Sequence, residues 1–171
     1  MTSVVADRYT AEVDREIVVF LIGMRINRPL RVRRWLPVFT AMGGMLSVLR
    51  SDPAKGLLGV QGYFLPAPML VQYWRSLDDL HRFARSPEEP HLGAWRRFNK
   101  MVGASGDVGI WHETYRARPG DVESMYGNMP VFGLAAATTH IPMRGGMQSA
   151  ARRMGVSETD DVAVEPYDNP A

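Results

Sequence analysis

The chain has 171 residues, 46% of them hydrophobic, with a formal net charge of +2 and no cysteine. That length suits one domain around a single core, and the missing cysteine excludes disulfides, thiolate metal sites and a cysteine nucleophile. So small a charge is weak evidence for nucleic-acid binding, and neither a nucleic-acid partner nor, without a run of about eighteen apolar residues, a membrane span is expected.

Residues 1–15 carry mixed charge with little periodicity and read as an N-terminal arm; they lack the order of a secretion signal, so a cytoplasmic protein is expected. Ile17 to Ile26, IVVFLIGMRI, is a nearly continuous β-branched and aromatic run that predicts a strand buried on both faces. A basic cluster, Arg25, Arg28, Arg31, Arg33 and Arg34, follows where this strand gives way to a helix. A solvated or subunit-contact role fits it, and so does an anionic ligand. Over 32–50 the residues Trp35, Phe39, Met42, Leu46 and Leu49 recur at helical spacing, with Pro37 tolerable only in the first turn. Segments 57–65 and 69–75 predict an antiparallel hairpin with an unusual turn around Pro66 and Pro68.

Ser76 to Asp79 has the form of a capping box and opens the helix LDDLHRFAR. Beyond the break at 86–90, His91, Trp95, Phe98 and Val102 share one helical face, and Gly103, Ser105 and Gly106 stop that helix. In the strand that follows, Val108, Ile110, His112 and Thr114 alternate with Gly109, Trp111, Glu113 and Tyr115, so both faces carry polar groups. A buried polar group needs a partner or a ligand.

The resulting order is strand, helix, strand, strand, helix, strand, that of a ferredoxin-like βαββαβ α+β sandwich, expected over residues 16–142. Its strands are apolar on both faces while the helices cover only one. A homodimer closing two sheets face to face, a dimeric α+β barrel, is expected to bury the excess. The tail, 143–171, loses aromatics and is expected to form a partly ordered helix followed by a loose end.

The words HLGAWRRFNKMVGASGDVGIWHETY and ESMYGNMPVFGLAAAT, with the earlier VVFLIGMRIN and GYFLPAPMLVQYWRS, carry a resemblance. Together they resemble the monooxygenase-like family typified by the small oxygenase of fungal fumagillin biosynthesis, within the dimeric α+β barrel superfamily. The resemblance implies oxidation of a hydrophobic, polyketide- or terpenoid-like secondary metabolite by molecular oxygen, with no cofactor expected. The superfamily also holds haem-dependent dehydratases and peroxidases and ligand-binding proteins. A haem enzyme on the same fold and a non-catalytic binding dimer are therefore the alternatives.

In the cofactor-free oxygenases the resemblance implies, an electron-rich phenol or enol reacts with oxygen after deprotonation. Such a site needs a dry pocket, a base and donors for the resulting oxyanion. His112 and His91 are the candidate bases, since imidazole titrates near neutral pH. Asn128, Tyr115 and Tyr63 are candidates to hold the oxyanion, while Trp74, Trp95, Trp111 and Phe39 suit apolar walls. If haem is bound, His112 or His91 is the candidate axial ligand.

Each residue also has a plainer role: capping or packing for His91, a cross-strand partner for His112, and core packing for the tryptophans. His81 is expected in solvent and His140 in a loop or edge strand. No metal is expected, because no histidines and carboxylates share a close ligand spacing, and no Rossmann or P-loop glycine pattern is present.

Overall fold

A computed structural model, describing residues 3–64 and 67–159, places a strand, β1 (Val5–Glu12), where an arm was expected. The elements that follow are β2 (Ile17–Ile26), α1 (Val32–Ser51), β3 (Leu57–Tyr63), β4 (Met69–Trp74), α2 (Leu77–Arg85), α3 (Pro90–Met101) and β5 (Val108–Ala117). The chain ends with β6 (Tyr126–Met129), α4 (Gly133–Ala137), β7 (Thr139–Pro142) and α5 (Ala150–Arg153). Residues 17–116 make one compact unit, and residues 1–16 with 117–171 make another. Among the described residues no helix is long and apolar enough to cross a membrane.

The unit 17–116 is a ferredoxin-like α+β sandwich. Its four strands lie in the order β3-β4-β2-β5, with β4 antiparallel to both β2 and β3. Alternation sets the faces: Val18, Phe20 and Ile22 stand opposite Trp74, Gln72 and Leu70 across the β2–β4 pair. Two apolar clusters pack there. One joins Val18 and Trp74 to Met45, Leu49, Leu80 and Phe83 from the helices. The other joins Met24, Val102 and Val108, with Trp35, Val38, Phe98 and Met101 against them.

Local chemistry fixes the helix boundaries. The Ser76 hydroxyl accepts from the Asp79 N–H at 3.1 Å and donates to Asp79 Oδ2 at 2.9 Å, the expected capping box. Pro90 opens α3 at its first position, where a missing N–H costs nothing. Pro37, by contrast, lies inside α1 rather than in its first turn, because the helix already begins at Val32. The carbonyl it leaves without a helical donor belongs to Arg33, an exposed residue that water can reach.

The basic cluster has a structural role. Asp107 is fully buried as a side chain, and Arg28, Arg31 and Arg34 approach its carboxylate at 3.3, 3.0 and 3.9 Å. The Asp107 carbonyl also accepts from the Asn27 and Arg28 amides. The anion these guanidiniums meet is the chain's own, and it ties the start of α1 to the start of β5.

The other unit is built on the antiparallel sheet β6-β1-β7. Thr10 is buried on β1 and donates to the Ser124 carbonyl at 2.7 Å. His140, on β7, stacks on Tyr9 with centroids 4.3 Å apart and meets Tyr126 edge-on. Residues 1–15 gave no local sign of this strand because its stabilising partners lie over a hundred residues away. In the expected tail, α5 spans four residues. The hairpin turn at Leu65 and Pro66 and the end from residue 160 onward lie outside the described residues.

Candidate functional site

Between the sheet and the helices of unit 17–116 lies a cavity of about 1090 Å³. Its walls are almost entirely apolar: Phe20 and Ile22 from β2, Pro37 to Leu46 along α1, Leu80 from α2, and Trp95, Phe98 and Met101 from α3. Met45 and Leu80 reach it from one core cluster, and Met24 and Val38 from the other. Four short residues, Gly43, Gly44, Ala84 and Ala94, are among its lining. A volume of this size matches a ligand of several rings.

Two imidazoles enter this apolar space. His112 comes from β5 with Ile110 and Thr114 on the same face, as alternation requires. Its ring lies 5.6 Å from that of Phe20, and among the described residues neither of its nitrogens has a hydrogen-bond partner. His91 comes from the first turn of α3, where its Nδ1 lies 2.9 Å from the Ala84 carbonyl oxygen. A carbonyl only accepts, so Nδ1 carries the proton and Nε2 of the neutral ring is left as an acceptor. The ring of Phe83 packs against it at 6.5 Å.

Of the other expected residues, Trp95, Tyr63 and Phe39 line the cavity. Trp95 is stacked on Phe98 at 5.5 Å, and Phe39 faces Phe64 at 6.3 Å. Trp74 is instead a core residue, 1% exposed, with its indole N–H donated to Gln72 Oε1 at 2.9 Å. Trp111 and Tyr115 alternate with His112 and so stand on the opposite face of β5. The Tyr115 hydroxyl donates to Glu113 Oε2 at 2.5 Å, and that carboxylate raises the phenol above its ordinary pKa. Asn128 belongs to the other unit, where its Oδ1 accepts from the Asp7 N–H at 3.2 Å and its backbone φ is 52°.

Several lining residues were not expected. Thr40 and Thr114 add hydroxyls, and Arg97, Lys100 and His81 add polar groups at exposed positions. Gln72 is 5% exposed on β4 and borders a recess of about 40 Å³ that shares Phe20, Ile22 and His91 with the larger cavity. Its position was legible in MLVQYW, since alternation puts it on the face of Leu70 and Trp74.

The sequence profile of the family described as Monooxygenase af470-like matches residues 17–134. Among individual proteins, the chain is 32% identical over 123 residues to Monooxygenase af470 of Aspergillus fumigatus, a match covering 66% of this chain and 42% of that protein. Among solved structures it is similar to an aldoxime dehydratase in complex with butyraldoxime, at a TM-score of 0.61 and 20% identity, covering 77% of this chain and 40% of that one. A second aldoxime dehydratase structure matches at a TM-score of 0.62 and 18% identity, covering 78% and 43%. The chain thus spans less than half the length of each of these relatives. At such identity the two dehydratases speak for the fold alone.

Proposed function

Since the chain belongs to the Monooxygenase af470-like family, a premise that supports a general oxidative role, we propose that it oxidises a hydrophobic, polyketide- or terpenoid-like metabolite with molecular oxygen in the cavity of unit 17–116. The observation that carries this reading is the pair of imidazoles, His112 from the sheet wall and His91 from the helix wall, inside a large apolar space. A phenol or enol bound there loses its proton to one imidazole, and the electron-rich anion reacts with oxygen. When a CH₂ conjugated with that anion becomes C=O, one oxygen atom enters the product and the other leaves as water. The substrate supplies all the electrons, so this stoichiometry requires no external reductant.

In this scheme His112 is the proton acceptor, because no protein partner competes for its nitrogens among the described residues. The aromatic walls Trp95, Phe39 and Tyr63 are exposed in the free protein, and rings packed against them would displace water from the cavity. A homodimer is part of the proposal: Val19, Leu21, Val71 and Trp111 stand on the sheet face away from the cavity and would meet a second copy. Oxygen uptake by purified protein against a panel of polycyclic phenols and enols tests the reaction. Uptake with no substrate of the panel, or full turnover by His112→Ala, would count against it.

A haem enzyme is the second reading. The anchored Nδ1 of His91 favours it, since a histidine fixed through one nitrogen by a backbone carbonyl presents the other to a metal. His91 or His112 would hold the iron, which supplies Lewis-acid or redox chemistry when bound, and the apolar walls would cover the macrocycle. A stoichiometric Soret band that vanishes on changing one histidine selects this reading; a protein that takes up no haem rejects it.

A further inference from the structure

The inner recess raises a question that the oxidative chemistry does not answer. Gln72 sits on the buried face of β4, opposite Phe20 on one neighbouring strand and Val60 on the other, so neither cross-strand residue can bond it. Its Oε1 is taken by the Trp74 indole N–H, which fixes which way the amide points. The amide nitrogen is left without a partner among the described residues. The residue is only 5% exposed, so this donor meets little bulk water. The recess it borders is also bordered by His91, whose Nε2 is an acceptor because Nδ1 is bound to Ala84.

We propose that this recess is a hydroxyl-recognition subsite: the Gln72 amide N–H donates to, and His91 Nε2 accepts from, one phenolic or enolic hydroxyl of the ligand, with Trp74 as the positioning residue for the amide. The inference deepens the proposed function and rests on the cavity being the ligand site. A hydroxyl is the group that matches one donor and one acceptor at once. A ketone would leave Nε2 unused, and a carboxylate would face the Nε2 lone pair. The volume agrees: about 40 Å³ admits one or two water-sized groups but no ring, so the rings must remain in the larger space. In this arrangement His91 and Gln72 hold the recess hydroxyl and orient the ligand, while His112, which borders only the larger cavity, takes the proton of the reacting group there.

The test is a binding titration of the full chain with 2-naphthol and with 2-fluoronaphthalene, followed by fluorescence. The two probes share a shape, and the fluorinated one is the more apolar, so an undiscriminating greasy cavity prefers it. We expect 2-naphthol to bind about tenfold tighter, the size of one or two net hydrogen bonds. Gln72→Leu should abolish that preference while holding 2-fluoronaphthalene affinity within about twofold. Equal or weaker binding of 2-naphthol by the unaltered protein, no binding of either probe, or an undiminished preference in Gln72→Leu would each overturn the proposal. Should Gln72→Leu fail to fold, Trp74→Phe takes its place, because it frees the amide while keeping an aromatic ring; its preference should fall. The titration needs no oxygen, so a hydroxyl preference without oxygen uptake sinks the oxygenase reading alone, and uptake without the preference sinks the subsite alone.

Discussion

The indole of Trp111 occupies the space that a side chain at Gly23 would need: a Cβ built on Gly23 would lie 2.6 Å from Trp111 Nε1. This contact explains why a glycine interrupts the otherwise β-branched run of β2, and it holds Trp111 on the face away from His112. Gly23→Ala should therefore destabilise the protein by about 1–3 kcal/mol, the usual cost of overpacking. Thermal unfolding measures it. In the double variant with Trp111→Ala the two costs should not add, because the clash is gone; simple additivity would contradict the contact.

The Asp107 carboxylate is buried among three guanidiniums that are themselves about half exposed. Removing the shared anion deletes three ion pairs at once, whereas removing one half-exposed guanidinium leaves two. Asp107→Ala should therefore cost more than Arg28→Ala, which should stay under about 1 kcal/mol. Chemical denaturation of both variants checks the order.

Asp79 is buried and receives hydrogen bonds from Arg75 and Ser76, with Arg82 also beside it. The Arg75 hydrogen bond is the main cause holding its carboxyl below the ordinary value, against the opposing effect of burial. A depressed folded-state pKa means that the stabilisation is fully present above the ordinary carboxylate range and is lost as pH falls through the folded value. The stability gap between the unaltered protein and Asp79→Asn should thus be constant near neutrality and shrink below about pH 4. Urea midpoints from pH 7 down to pH 3 measure it, and a gap that widens in acid would refute the assignment.

His112→Ala should lower oxygen uptake by about 10²- to 10⁴-fold, the range expected for loss of a positioned base. Unfolding should hardly change, because the residue is exposed to the cavity and bonds no neighbour among those described. Tyr115→Phe makes the contrasting case. Its hydroxyl serves Glu113 on the other face of the strand, so turnover should be retained within about twofold, as steady-state oxygen uptake will show.

The βαββαβ order, the capping box at Ser76 and the face shared by Ile110, His112 and Thr114 were legible in the sequence, because each follows from a local period or a contact a few residues long. The same alternation already separated His112 from Trp111 and Tyr115, even though all three were legible as chemical groups. What meets across the fold was not legible in this way. That Arg28, Arg31 and Arg34 surround Asp107, that Trp74 spends its N–H on Gln72, and that β1 pairs with residues beyond 125 all depend on contacts between distant segments. Helix and strand periods say which way a side chain points, and only packing says what it finds there.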